Sequence, residues 1–157
     1  MIRQRVKLIP FFIFFLFLTS LYADKPTCNE KQLIGGIVKV ALPQIGVENI
    51  RAKIDTGAYS SSIDCSKISV DSINKSVTFT PLNLTKSINM PLSRVAFVKS
   101  SNGIAQERAF VVLKVSINGC FYHTEFSLTN RSDMRYPILI GRQLIKDNFI
   151  IDLSLRE

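Results

Sequence analysis

The tripeptide Asp55-Thr56-Gly57 is the segment whose residue types could do chemistry, and it follows a predicted strand, Ile50–Ile54, that alternates apolar and polar residues. Gly57 would allow a tight turn, and its amide could donate a hydrogen bond to the Asp55 carboxylate. The Thr56 hydroxyl could bond to a partner loop. Two such carboxylates at hydrogen-bond distance share one proton, so one acts as base on a water and the other as acid on a peptide carbonyl. A bare Asp-Thr-Gly is also compatible with an ordinary turn, so its surroundings decide.

A second segment near the C-terminus strengthens the catalytic interpretation. Ile138–Ile140 is a continuous apolar run, which predicts a buried strand. Gly141 and Arg142 follow directly, and residues 142–147 form the one short stretch with a helical pattern. An Asp-Thr-Gly strand end and a later strand that runs into a helix suit a single small lobe.

The elements that must position these residues are mostly β-strands. Short apolar or alternating runs, rich in β-branched and aromatic residues, recur with turn residues between them. Asn118-Gly119 between two such runs predicts a tight hairpin. Residues 82–93 hold Pro91 and several polar residues, and Pro81 comes directly before them, so they predict a long loop. The pattern indicates an all-β barrel or sandwich. The predicted strands are 34–41, 50–54, 77–81, 94–99, 109–117, 121–128, 137–140 and 149–153.

Taken together, these motifs resemble the bacterial retropepsin-like aspartic peptidases, which are often labelled ATP-dependent zinc proteases. The resemblance covers about Val38 to Leu153, and it implies an all-β, single-lobe, closed retropepsin barrel with one short C-terminal helix. It also implies that Asp55 is catalytic and that Thr56, Gly57 and Ala58 support it. The matching motifs are 41–46 (ALPQIG), 52–58 (AKIDTGA), 100–103 (SSNG) with 107–108 (ER), 128–135 (LTNRSDMR) and 138–142 (ILIGR).

A single Asp-Thr-Gly supplies half of a carboxylate pair. We therefore expect a homodimer in which Asp55 of each chain meets at a two-fold axis. The alternative is a second carboxylate within the same chain, for which Asp133 and Asp152 are the candidates.

The remaining matched residues have two interpretations each. Ser101, Asn102 and Gly103 form either the tip of a flap over the site or a plain surface turn. Arg131, Asp133 and Arg135 form either a structural charge network or a substrate contact. Gly141 and Arg142 are expected to be structural, and Arg142 is expected to pair with an acidic group.

The chain departs from the family pattern at three places. Tyr59 and Asp64 stand where the family usually has Arg and His, and Ile104 stands where it often has His. The zinc label is therefore not supported, and the chain has one histidine, three cysteines, and neither a CxxC nor an HExxH motif. No nucleotide phosphate loop is present, so we expect neither cofactor nor metal. These departures also leave a rival function, a non-catalytic peptide-binding module on the same fold.

The N-terminus predicts export. Residues 1–23 have a basic start, an apolar run and a small residue at Ala23, which is the pattern of a signal peptide. An uncleaved signal anchor is the alternative, and it would be the only membrane contact. Residues 24–33 predict a polar, mobile lead-in, and residues 34–157 the peptidase domain. The expected location is the periplasm or the medium of a bacterium. One branch of the family trims poly-glutamate tails from a ribosomal protein, but export would separate this chain from ribosomes.

The composition of the chain narrows the classes of molecule that we expect it to bind. The net charge is +8, but the basic residues are scattered, so nucleic acid is not expected and a peptide or protein substrate is. Cys28, Cys65 and Cys120 allow one disulfide and one free thiol, or three free thiols, and the sequence does not choose between these arrangements. Catalysis by a cysteine with His123, the only histidine, is disfavoured.

Overall fold

The computed structural model describes residues 28–155 except 83, 100–102 and 104. The predicted signal peptide therefore lies outside the described residues. The described chain is mainly β, with one 3-10 turn at Pro43–Ile45 and one α-helix, α1, at Arg142–Asn148. The strands are β1 (Gln32–Ile34), β2 (Ile37–Leu42), β3 (Val47–Asp55), β4 (Ser61–Asp71), β5 (Ser76–Pro81), β6 (Ile88–Pro91), β7 (Arg94–Lys99), β8 (Ala105–Ile117), β9 (Cys120–Thr129), β10 (Ile138–Gly141) and β11 (Phe149–Ile151).

Six strands form a ring in the order β10-β3-β2-β8-β9-β4, which closes because β10 also pairs with β4. Two further strands, β5 and β6, extend the sheet from β4, and β7 pairs with the first half of β8. A separate two-stranded parallel sheet joins β1 to β11. The prediction of an all-β single lobe with one short C-terminal helix is confirmed, although the closure is a ring with extensions and not a regular barrel.

The interior of the ring is apolar because alternate residues of each strand point into it. Along β8, for example, Val111, Leu113, Val115 and Ile117 are all buried. Hairpin β8–β9 is closed by Asn118 and Gly119, both with positive φ, as the predicted Asn-Gly turn requires.

Several predicted boundaries were wrong. Strand β4, the longest one missed, begins with two buried serines and carries many polar residues, so its sequence has no clear alternation. The predicted loop 82–93 contains β6, which pairs with β5. The predicted strand 34–41 is interrupted at Gly35, where an added Cβ would lie 2.8 Å from the Leu155 carbonyl oxygen.

The described part of the predicted lead-in is tied to the domain at two points. Strand β1 begins at Gln32, and Cys28 forms a disulfide with Cys120 at the start of β9. Cys65 is a free, buried thiol in β4. Within the described residues, α1 falls well short of the length that a membrane-spanning helix requires.

Candidate active site

Asp55 ends β3, and the chain turns sharply after it. One carboxylate oxygen, Oδ1, accepts hydrogen bonds from the Gly57 amide at 3.0 Å and the Ala58 amide at 3.2 Å. A Cβ at position 57 would lie only 3.3 Å from that oxygen, so the turn favours glycine there. The half-buried carboxylate is thus held by main-chain donors while Thr56 and Gly57 remain exposed.

Strand β10 and helix α1 contact the Asp55–Ser60 loop and hold it in place. Strand β10 runs parallel to β3, and Gly141 lies beside Asp55 in the register. The first amides of a helix have no partner within the helix. In α1 the amide of Arg142 donates to the Ala58 carbonyl, and the amide of Gln143 donates to the Tyr59 carbonyl, both at 2.9 Å. The Asp55–Ser60 loop therefore accepts hydrogen bonds from the first two amides of the helix, and these bonds hold the loop in place.

Gly141 is the point of closest approach between these two segments. A Cβ there would lie 2.5 Å from the Ser60 carbonyl carbon and oxygen, and 2.7 Å from the Tyr59 carbonyl oxygen. The Gly141 amide donates to the Ser61 hydroxyl at 3.1 Å. Ser61 was not among the predicted site residues, and only its place just after the Asp-Thr-Gly turn could have indicated it.

Arg142 also supports the loop, but through a different partner from the one expected. The sequence predicted an acidic group. In the structure the guanidinium Nη1 donates to the main-chain carbonyl of Thr56 at 3.1 Å. Arg142 therefore ties the Asp-Thr-Gly turn to the helix at a third point.

Arg131 is the one member of the predicted charged trio that lies near Asp55. Its amide donates to Asp64 Oδ1 at 2.5 Å, and its Nε donates to the Tyr136 carbonyl at 3.4 Å. Burial lowers the pKa of the Arg131 guanidinium, while the negative charges of Asp64 and Asp55 raise it. Burial and the nearby charge of Arg131 likewise lower the pKa of Arg108 on β8. Positive charge therefore borders the Asp55 carboxylate.

The other two members of the trio do not share this environment. Asp133 and Arg135 are exposed, and the Arg135 guanidinium lies 5.4 Å from the centre of the Tyr136 ring. Asp152 accepts hydrogen bonds from the Ser154 amide at 2.8 Å and the Ser154 hydroxyl at 2.7 Å, which lower its pKa. Within the described ranges, no hydrogen bond joins Asp133 or Asp152 to Asp55.

The predicted flap lies mostly outside the described residues, because Ser101 and Asn102 are not among them. Gly103 is exposed with a φ of 81°, as a turn position that favours glycine would be. The flanking strands β7 and β8 pair antiparallel, from Arg94 opposite Phe110 to Lys99 opposite Ala105. A hairpin is therefore present at the predicted place. In the portion of the chain that the structure describes, no three His, Cys, Asp or Glu side chains are grouped to hold a metal ion.

Comparison with known proteins agrees with this geometry. The model of the RimB-like family, described as retropepsin-like aspartic endopeptidase RimB, matches residues 33–157. The chain belongs to this family. A Legionella pneumophila protein of unknown function has a similar fold, with a TM-score of 0.64. That protein is 26% identical, and the match covers 80% of this chain and 96% of the other.

Curated relatives carry a different name. Proteins named probable alpha-L-glutamate ligase from Shewanella pealeana and Desulfotalea psychrophila are 30% and 28% identical to this RimB-like chain over 136 residues. Each match covers 80% of this chain but 29% of the relative. The chain therefore spans less than a third of the length of these relatives.

Proposed function

We propose that this RimB-like chain is an exported aspartic endopeptidase that works as a homodimer, with Asp55 of each chain forming the catalytic pair. The observation that carries the proposal is the support of the Asp55 carboxylate. Two amides of its own turn hold it, and three hydrogen bonds from α1 residues hold that turn. Such fixed positioning is what general acid and base catalysis requires.

The reaction needs water as the nucleophile and no metal. Two Asp55 carboxylates at hydrogen-bond distance hold one proton between them, because both cannot be ionised so close together. The ionised partner takes a proton from water, whose oxygen forms a bond to the peptide carbonyl carbon. The protonated partner donates to the carbonyl oxygen. Collapse of the tetrahedral intermediate breaks the C–N bond: the carboxyl that took the proton from water gives it to the leaving amine, and the other carboxylate takes a proton back from a hydroxyl of the intermediate.

An exposed apolar face supports pairing of two chains. Leu33 of β1 and Ile150 of β11 are opposite each other in the parallel register, and 54% and 55% of their surfaces are exposed. Leu153, just after β11, is 80% exposed. We call these three residues the terminal-sheet face. Exposed leucine and isoleucine side chains grouped in this way mark an interaction surface.

The segment that follows β1 is hydrogen-bonded to the end of β3. The Gly36 carbonyl accepts a hydrogen bond from the Ile54 amide at 2.9 Å, one residue before Asp55. Leu153 Cδ2 lies 3.1 Å from the position that a Cβ on Gly36 would take. A second copy seated on this face would therefore lie beside the end of β3. We propose that the two chains meet there.

Export is supported by the N-terminal pattern and by the disulfide. A basic start followed by an apolar run is typical of a signal peptide, and the Cys28–Cys120 disulfide suits an oxidising compartment. The proposed substrate is a peptide or protein of the cell envelope. The ligase name belongs to relatives of which this chain spans 29%, so we assign hydrolysis to this chain and leave ligation with them.

The decisive experiment compares Asp55→Asn with Asp71→Asn, a matched change at an exposed carboxylate at the end of β4. We would incubate each protein with a mixed peptide library, identify cleavage by mass spectrometry, and measure mass by sedimentation. The expected result is a dimer that cleaves peptides in the wild type and in Asp71→Asn, with cleavage lost in Asp55→Asn. Peptide binding without cleavage in the wild type would replace the proposal with a binding module.

A second pair of variants tests the interface. Leu153→Glu places a charge on the terminal-sheet face, and we expect it to shift the protein to monomers and to abolish cleavage. Ile73→Glu is the matched control, since Ile73 is 93% exposed at the tip of the β4–β5 hairpin. Dimers that persist in Leu153→Glu would mean that the chains pair elsewhere.

A further inference from the structure

Strand β1 is short and has few contacts to hold it. Its three residues pair in parallel with β11, and within the described residues they pair with no other strand. A two-stranded sheet is marginally stable by itself, and segments near the end of a domain are poorly ordered unless something ties them down. Of the three side chains in β1, only that of Ile34 is buried. Strand pairing and burial alone therefore hold β1 weakly.

The Cys28–Cys120 disulfide supplies a covalent attachment for β1. It joins the segment just before β1 to the start of β9, which belongs to the closed ring. Within β1, Gln32 Nε2 donates a hydrogen bond to Cys120 Sγ at 2.9 Å. The hydrogen bond from Lys31 Nζ to the Lys146 carbonyl lies on the exposed surface, where water competes for both groups. The disulfide is therefore the main attachment of β1 to the ring.

The terminal-sheet face depends on the position of β1. Leu33 is a residue of β1, and Ile150 of β11 lies opposite it in the register. The Asp152 amide donates to the Ile34 carbonyl at 2.9 Å, which fixes the chain just before Leu153. All three residues of the face thus take their places only when β1 is in place.

We propose that the Cys28–Cys120 disulfide is a redox switch that places β1 and, through it, allows two chains to assemble. The proposal rests on the proposed function, because it regulates the dimer and follows the export described there. Thiols are kept reduced in the cytosol and are oxidised outside it. A newly made chain therefore lacks a fixed β1 and stays monomeric. Disulfide formation after export completes the terminal-sheet face and brings two Asp55 carboxylates together.

The chemical step is thiol–disulfide exchange with a donor disulfide, R–S–S–R, as the oxidant. The Cys28 thiolate attacks one donor sulfur, forms a mixed disulfide and releases the first donor thiol. The Cys120 thiolate then attacks Cys28 Sγ, which forms the Cys28–Cys120 bond and releases the second donor thiol. The donor gains the two electrons and two protons that the cysteines lose. Cys28 is exposed and Cys120 is buried, so the exchange begins at Cys28.

The first test compares the bridged and unbridged forms of the full chain by NMR. A dithiol reduces the wild type, and Cys28→Ser gives an unbridged chain without any reductant. In both unbridged forms we expect the nuclear Overhauser contacts between Leu33 and Ile150 to disappear. Contacts across β8–β9, such as those between Val115 and Tyr122, should remain and show that the chain is folded. Persistence of the Leu33–Ile150 contacts would overturn the proposal, and global unfolding of both forms would contradict a switch confined to β1.

The second test measures the effect on assembly by sedimentation at a series of concentrations. Both chains of a dimer must present the terminal-sheet face, so the apparent Kd rises with the inverse square of the fraction of chains in which β1 is in place. If that fraction falls to about one in ten, the Kd rises about 100-fold. An equal Kd before and after reduction would overturn the proposal.

Cys65→Ala is the matched control for both tests. It removes the free, buried thiol and leaves the disulfide unchanged. The oxidised variant should keep its Leu33–Ile150 contacts and assemble as the oxidised wild type does, and reduction should release β1 in it as in the wild type. Failure of reduction to act in Cys65→Ala would assign the effect to Cys65 and contradict the proposal.

The two tests separate this proposal from the proposed function. A dimer that cleaves peptides equally well in both redox states would support the peptidase and reject the switch. A chain that is monomeric and inactive in both states, but loses its Leu33–Ile150 contacts on reduction, would reject the dimeric peptidase and support the control of β1 by the disulfide.

Discussion

The substitution Gly141→Ala tests directly whether contact with β10 holds the Asp55–Ser60 loop. The added carbon would lie 2.5 Å from the Ser60 carbonyl carbon and oxygen, and 2.7 Å from the Tyr59 carbonyl oxygen. These are main-chain atoms, so no side-chain rotation relieves the overlap. The backbone at Gly141 is extended, with φ −88° and ψ 169°, which alanine adopts freely. The loss of stability therefore comes entirely from steric overlap between the new Cβ and these main-chain atoms. The loop must move away from α1 to relieve this overlap.

The expected magnitude has two parts. Overpacking in a well-packed region costs about 1–3 kcal/mol. Separation of the loop from α1 also weakens the hydrogen bonds from Arg142 and Gln143, each worth about 0.5–1.5 kcal/mol. We therefore expect a loss of about 3 kcal/mol in the free energy of unfolding, which lowers Tm by about 12 °C in a domain of this size. Any peptidase activity should fall as well, because Asp55 moves with its loop.

Urea unfolding and thermal melting measure the effect, with Gly36→Ala as the control. A Cβ at Gly36 would meet only the Leu153 Cδ2 atom at 3.1 Å, the end of an exposed and flexible side chain. The control should therefore lose well under about 1 kcal/mol. If Gly141→Ala unfolds at the wild-type midpoint, the Asp55–Ser60 loop is not locked against the start of α1, and the argument for a preorganised Asp55 fails.

Three further predictions concern thiols and charge. Burial raises the pKa of the Cys65 thiol, so iodoacetamide should label Cys65 only after unfolding, and rapid labelling of the native protein would contradict its burial. Reduction of Cys28–Cys120, which closes a loop with a sequence separation of 92, should destabilise the protein by about 2–5 kcal/mol, and an unchanged denaturation midpoint would contradict this. Burial raises the pKa of Glu125, but hydrogen bonding and the charge of Arg94 outweigh it, so the pKa is lowered overall. Glu125→Gln should therefore cost about 0.5–1 kcal/mol at pH 7, and the difference from wild type in denaturant melts should shrink as the pH falls below the ordinary value of 4.5; a constant difference would contradict the assignment.

The core of the site could be predicted from sequence because its two strands have simple patterns, alternating in β3 and continuously apolar in β10, and each ends in distinctive residues. Strand β3 ends at Asp55 and β10 ends at Gly141, and the parallel register places these two side by side. The short helix α1 follows directly. Its predicted range, 142–147, ends one residue before the observed end at Asn148. Local pattern and chemistry agree at these positions, so short-range reasoning was sufficient.

Strand β4 shows where that reasoning fails. Ser61 and Ser62 are buried although they are polar, because β4 is bonded on one side to β9 and on the other to β10. A bulge between Ser66 and Ser69 then disturbs the alternation of its second half. The Cys28–Cys120 pairing and the place of Arg131 beside Asp55 depend in the same way on distant segments meeting. None of these features leaves a local pattern in the sequence.

The geometry also bears on the departures from the family pattern, which had favoured a binding module. The main-chain carbonyl of Tyr59 accepts one of the hydrogen bonds between the loop and α1, while the Tyr59 side chain is 60% exposed. Asp64 uses its carboxylate to accept the Arg131 amide, so it positions a positive charge near Asp55 in a place where the family usually has a basic residue. Support of Asp55 comes from main-chain groups and from Gly57, Gly141 and Arg142. Substitution at positions 59 and 64 therefore leaves that support intact and alters the surroundings of the site, which is consistent with the proposed peptidase and removes one argument for the binding module.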